Sequence, residues 1–194
     1  MKNRIYLARH GETSMDARGL LLGRLDPPLT KEGRAQALAL AVTLMGMQLR
    51  LIVASPLRRA AETARVVAHE VGLDVEIDDR FIDRDYGVLA GKSPFGVEER
   101  WGSIDRAPGV ESPADVLSRS LSAFKDFAHH LGDKTGLIVS HDAVNRPLLV
   151  ALDSAIGGRT LAQQTGCYNV LRRADERWTV VSINNIPPSR DADR

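Results

Sequence analysis

Few residues in this chain could do chemistry, and their types agree with one another. There are five histidines: His10, His69, His129, His130 and His141. His69 falls on the outward side of a helical pattern. His129 and His130 sit near a helix end, where positive charge is welcome. These three read as structural. His10 and His141 differ, because each closes an apolar run, "IYLA" before Arg9-His10 and "GLIVSH" at 136–141. Arg9 adjoins the first histidine, and Arg58-Arg59 follow Ser55-Pro56 at the start of a helical pattern. Two arginines in a first turn oppose the helix dipole, which makes sense if an anion binds there. An imidazole among guanidinium groups is held neutral, with a ring nitrogen free to attack, and histidine is an accepted covalent nucleophile. A second imidazole and two planar guanidinium forks suit the equatorial oxygens of a transferring phosphoryl group. That chemistry calls for no cofactor and no metal, and no histidine pair has zinc-ligand spacing.

The elements that must position these groups are legible in outline. Residues 4–8 form a first strand, followed by a loop over 9–29 rich in Gly, Asp and Pro. Thr30 caps a helix over 31–47, with Leu38, Val42, Met45 and Leu49 at helical spacing. "LRLIVAS" (49–55) is a second buried strand. Ser55 with Pro56 then reads as a cap and first turn for a helix whose apolar stripe runs from Leu57 to Val71 and ends at Gly72. The pattern breaks between about 78 and 111, apart from a short helix near 95–101; loops this long tend to be functional. Ser112 and Asp115 form a capping box around Pro113, and 136–141, 165–172 and 177–184 read as strands. Alternating strands and helices imply an α/β fold: a three-layer αβα sandwich on a mainly parallel mixed sheet. Ligands in such sheets lie beyond the carboxyl ends of the strands, where Arg9, His10, Ser55 to Arg59 and His141 all fall. The expected organisation is one domain over 1–186 with a small lid at about 82–111, and a disordered tail over 187–194.

Composition narrows the function classes. A formal net charge of +1 with no dense basic block argues against nucleic acid and anionic membranes as partners. Cys167 is the only cysteine, so no internal disulfide or thiolate cluster can form, and a free thiol suits a reducing compartment. No stretch reaches the roughly 20 apolar residues that span a bilayer. A cytoplasmic protein acting on a small phosphorylated molecule is expected, and a homodimer is left open. "GDKTG" (132–136) lacks the glycine of a nucleotide-binding loop before its lysine and follows a helix, so it is set aside.

"RHGET" at 9–13 resembles the signature of the histidine phosphatase superfamily, in the branch that includes cofactor-dependent phosphoglycerate mutases. "GRLDPPLTKEGRAQA" (23–37), "SPLRRAAETA" (55–64), "PGVESPADVLSR" (108–119) and "VSHDAVNRPLL" (139–149) resemble further blocks of that family in the same order. The resemblance implies that His10 is the phosphorylated nucleophile and that Arg9, Arg59 and His141 bind the phosphoryl group. It implies a proton donor within "FIDRDYGVLAG" (81–91), by position Asp83, where the family usually has Glu; Asp85 is the alternative. It also places Gly23, Arg24, Trp101, Glu111 and Asp142 around the substrate or lid.

Asp16 takes a phosphate-binding position where the family often has Asn, and Asp142 stands where it often has Gly. A carboxylate only accepts hydrogen bonds, so beside phosphate it repels unless paired or protonated. Arg18 or Arg24 is the expected partner of Asp16. Such acids would favour a substrate with a positive group, or looser phosphate retention. The resulting expectation is a metal-independent phosphomonoesterase, with a phosphoglycerate mutase-type phosphotransferase or a non-catalytic phosphate-binding protein as alternatives.

Overall fold

In the computed structural model, residues 3–157, 161, 163–175 and 177–188 are described. β1 (Arg4–Arg9) is followed by α1 (Lys31–Leu44), β2 (Leu49–Ala54), α2 (Arg58–Val71), the two-residue β3 (Glu76–Ile77) and α3 (Val97–Trp101). Then come α4 (Pro113–Leu131), β4 (Thr135–Ser140), α5 (Asp142–Leu152), β5 (Tyr168–Ala174) and β6 (Arg177–Asn185). The six strands form one sheet in the order β3-β2-β4-β1-β5-β6. Pairings among β3, β2, β4 and β1 are parallel, and β5 and β6 add an antiparallel flank. The expected mixed α/β sandwich is what forms.

Alternation along β1 explains the three layers, because successive strand residues face opposite ways. Ile5 and Leu7 enter one core with Phe81, Phe124, Leu131, Val144 and Leu148, beneath α4 and α5. Tyr6 and Ala8 enter the other with Leu40, Leu44, Ala60, Ala64 and Val67, beneath α1 and α2. The central strands are therefore buried on both faces, as parallel strands under helices must be. Among the described residues, no helix is long and apolar enough to cross a membrane.

Two local expectations are corrected. The inner face of α1 carries Gly33, Ala37, Leu40, Ala41 and Leu44, whereas Val42 and Met45 lie 40% and 52% exposed. Small residues face inward because backbones meet there. A Cβ built on Gly33 would lie 2.1 Å from the Glu12 carbonyl oxygen, so only glycine lets α1 press against the loop after the first histidine. At α2 the cap position is Leu57, without a side-chain bond of its own, and Ser55 does not cap the helix. The carboxylate of Asp26, from the preceding loop, accepts from Arg58 N at 2.7 Å. The anion at this helix N-terminus is therefore intramolecular.

The segment between β3 and α4 is built differently. It contains short helical turns and a satellite cluster of Leu89, Val97 and Ala107, with Leu21, Tyr86, Trp101, Ile104 and Val110 packed against it. Backbone bonds from Leu21 N to Lys92 O and from Gly91 N to Leu21 O tie it to the loop after β1. Of the tail expected over 187–194, Pro187 and Pro188 are described, Pro187 being buried; residues 189–194 lie outside the described residues.

Candidate active site

Arg9 and Ser140 are register partners in neighbouring parallel strands. His10 and His141 therefore leave the sheet side by side, each one residue beyond the last paired rung. Their ring centroids are 5.1 Å apart, and both residues are buried. The crossover from β2 into α2 delivers Arg59 to the same place, fully buried. The strap after β3 brings in Asp83. Four of the residues expected at the site thus converge from four separate segments.

Hydrogen bonds fix the state of His10. Its Nδ1–H donates to Gly11 O at 2.8 Å, since a carbonyl can only accept. Arg59 Nε donates to His10 Nε2 at 3.2 Å. Nε2 therefore bears a lone pair and no proton. Burial, with the charges of Arg59 and Arg9, pushes the pKa of His10 down to about 3. The ring is therefore neutral, with its lone pair held by the Arg59 Nε–H. Gly11 N donates to Thr63 Oγ1, which in turn donates to Arg59 O, so the loop after β1 and helix α2 are fastened together.

Arg59 is held from several sides. Its Nη1 donates to Leu25 O at 2.7 Å, and Nη2 donates to Gly23 O at 2.9 Å and Asp83 Oδ2 at 2.8 Å. Gly23 has a φ of 55°, a conformation that glycine adopts at little cost, and its carbonyl is thereby turned to the guanidinium. Burial pushes the pKa of Asp83 up to about 6, against the pull of Arg59 and the Arg84 N–H. The carboxyl is thus able to hold a proton in mildly acidic solution despite its ion pair.

His141 is bonded through Nε2 to Ser55 Oγ at 2.7 Å, and Leu57 N donates to the same oxygen at 3.3 Å. Ser55 thus engages the ring through Nε2, which leaves Nδ1 on the side of Asp83. That nitrogen has no hydrogen-bond partner among the described residues and lies 3.7 Å from Asp83 Oδ2. Burial, then Arg59 and His10, holds the ring well below the usual histidine pKa. Ser55 was read in the sequence as a helix cap; its bond to a residue 86 positions away left no local signal.

Arg9 is already occupied. Nη2 donates to Asp16 Oδ1 and Nη1 to Gln163 O, both at 2.5 Å, while Nε has no partner among the described residues. The partner of Asp16 is thus Arg9, in place of Arg18 or Arg24. Thr13 N and Oγ1 donate to the other carboxylate oxygen at 2.9 and 2.7 Å. Burial works against ionisation of Asp16, but His10, then Arg9 and the Thr13 bonds, outweigh it and hold its pKa below the usual carboxylate range. Asp142 opens α5 and pairs with Arg146 at 2.6 Å. Burial nevertheless leaves its pKa raised.

A cleft of about 110 Å³ opens onto this group, lined by Arg9, His10, Asp16, Asp83, Tyr86 and Asp142, with Leu20, Leu21, Leu22 and Ala143 as its apolar wall. Of the residues expected at the site, Arg59, His141, Gly23, Arg24, Trp101 and Glu111 are not among the lining residues. Arg24 faces Asp85 and Glu111 at 3.6 and 3.9 Å. Trp101 packs in the satellite cluster, stacked by Arg100. Glu111 is bound by Arg119 at 2.7 Å. Asp85 accepts from Gly87 N and braces a turn, so Asp83 alone of the two acids faces the histidines.

The family model for the histidine phosphatase superfamily, branch 1, matches residues 5–186. The chain belongs to that family. A probable phosphoglycerate mutase GpmB of Enterobacter sp. (strain 638) is 35% identical over 147 residues, covering 71% of this chain and 68% of the relative. A mycobacterial glucosyl-3-phosphoglycerate phosphatase complexed with VO3 superposes with a TM-score of 0.81 at 29% identity, over 94% of this chain and 98% of that one. The structure described as mycobacterial hydrolase 1 gives a TM-score of 0.84 at 26% identity, over 96% of this chain and 100% of that one. Family and neighbours together make the protein an enzyme of phosphatase or mutase type.

Proposed function

We propose that the protein is a phosphomonoesterase that transfers the phosphoryl group of a small metabolite to His10 Nε2 and then to water. The observation behind this reading is the fixed tautomer of His10, a residue that lines the cleft, with the proton on Nδ1 against Gly11 O and the lone pair on Nε2. In the first step Nε2 forms the N–P bond as the P–O bond to the leaving group breaks, and Asp83 gives its proton to the departing oxygen. Arg59 turns its Nε from the lone pair to a phosphoryl oxygen, and Arg9 Nε and His141 Nδ1–H supply further donors as charge spreads. In the second step Asp83 takes a proton from the attacking water, the N–P bond breaks, and phosphate leaves a neutral imidazole. The positive charge for transfer comes from the guanidinium groups, so we expect turnover in EDTA.

The small cleft supports hydrolysis of a compact substrate; typical ligand pockets run to about 300–1,000 Å³. Rapid-quench mass spectrometry with p-nitrophenyl phosphate tests the reading. It should find a phosphoryl group on the peptide containing His10, and none in His10→Ala. Normal turnover with no such adduct would overturn it. The relative named as a probable phosphoglycerate mutase favours a second reading, transfer to a hydroxyl acceptor. Stimulation by a bisphosphorylated primer would favour that one.

A further inference from the structure

Asp83 sits on a strap that belongs to no strand, so its carbonyls have no ladder to receive them, and buried carbonyls must find donors elsewhere. Two side chains supply them. Ser140 Oγ donates to Phe81 O at 3.0 Å. Arg119, in the second turn of α4, donates through Nη1 to Arg80 O at 2.7 Å and Ile82 O at 2.6 Å, and through Nη2 to Asp83 O at 3.3 Å. The remaining donors of Arg119 go to Glu111, from Nε to Oε1 at 2.7 Å and from Nη2 to Oε2 at 3.0 Å. All five N–H groups of one guanidinium are engaged, and four consecutive carbonyls, 80 to 83, are accounted for.

Glu111 closes the arrangement from the other side. Its Oε2 accepts from Asp85 N at 3.1 Å, its N donates to Asp85 O at 2.9 Å, and its carbonyl accepts from Arg84 Nε at 2.8 Å. The strap is pinned on both sides of Asp83. Neither Arg119 nor Glu111 lines the cleft.

We infer that Arg119, with Glu111 as its anchor, is the positioning residue that sets Asp83 at the leaving-group oxygen. The inference rests on the reading of Asp83 as the proton donor. A planar fork is needed because the acceptors lie on both sides of the guanidinium, which an ammonium on a flexible stem cannot match together. The geometry also holds the carboxyl in its buried place beside Arg59, where burial raises its pKa.

The test compares two substrates that differ in their need for a proton. Glycerol 2-phosphate loses an alkoxide and needs the acid, whereas p-nitrophenyl phosphate loses a stabilised phenolate. Asp83→Asn serves as the reference and should lower kcat/KM for the alkyl ester about a hundredfold more than for the aryl ester. Arg119→Ala should lower both, but the alkyl ester by a further tenfold or so, with Arg119→Lys intermediate. The upper limb of the alkyl-ester pH profile should move to lower pH as the strap loosens and Asp83 is better solvated. If Arg119→Ala does not fold, Glu111→Gln keeps an acceptor for Nε while removing the charge, and should shift the same ratio about threefold. Equal losses on both esters with an unmoved upper limb would overturn the positioning role. If Asp83→Asn itself fails to separate the two esters, the proton-donor reading falls and the inference with it.

Discussion

The floor of the site and the segment expected to form its lid are built by different rules. The floor is the junction of β1, β4 and the β2–α2 crossover, where His10, Arg59 and His141 stand in fully buried surroundings and are held by backbone or side-chain bonds. The segment expected as a lid is a string of short turns with three buried apolar residues of its own, and Phe95 lies 95% exposed on it. One region fixes its side chains by burial and hydrogen bonds; the other coheres through a small apolar cluster. The contrast teaches where substrate preference can vary without cost to the chemistry.

The sharpest way to break this contrast is to remove the central guanidinium. Arg59→Met should lower kcat/KM by about 10³-fold or more, and it leaves Asp83 and two carbonyls without their donor. Stability should fall by about 3 kcal/mol, since removing one partner of a buried pair strands the other; thermal unfolding and steady-state kinetics check both. A variant of ordinary stability and activity would show that the floor is not built around this side chain.

Acidity probes the same region with a somewhat smaller effect. On the proposed mechanism His10 attacks as a neutral ring, so activity should rise through about pH 3, and Asp83 acts protonated, so it should fall through about pH 6. The expected kcat/KM profile for an alkyl phosphate is a bell between those limbs, with activity lost about tenfold per pH unit above the upper one. An optimum above neutrality would contradict the assignment of Asp83.

Asp16 tests the boundary between floor and cleft. Its carboxylate holds Nη2 of Arg9, one of the donors that the proposed phosphate contact would use. Asp16→Asn should loosen that hold and tighten inhibition by inorganic phosphate about tenfold, the size expected for removing one neighbouring like charge. Unchanged inhibition would mean that Arg9 contacts phosphate through other donors alone. At the lid, Phe95→Ser should change stability by less than about 0.5 kcal/mol and turnover of p-nitrophenyl phosphate by less than about twofold. A larger loss would place Phe95 in the substrate contact.

The floor was far more legible in the sequence than what supports it. Strand-end histidines and arginines stand out because apolar runs break at them, and "SPLRR" resembles a family block in which the second arginine of the pair is the clamp. The inner face of α1 was not legible in the same way. Val42 and Met45 looked like core by hydrophobicity, but close backbone approach selected Gly33, Ala37 and Ala41 instead. The bonds of Ser55 to His141 and of Arg119 to the strap join residues 86 and 36 to 39 positions apart. Neither type nor spacing betrays such pairs, because tertiary contacts alone create them.

The pairing of Arg9 with Ser140 has one more consequence. Neighbouring strands in any sheet lie about 4.8 Å apart, and the two imidazoles inherit that spacing as a ready-made gauge. An extra amino acid within β4 would advance His141 by about 3.3 Å and swing its ring through to the opposite face. Divergence in length among kindred enzymes should therefore collect in the covering turns and be absent from the rungs between these two strands.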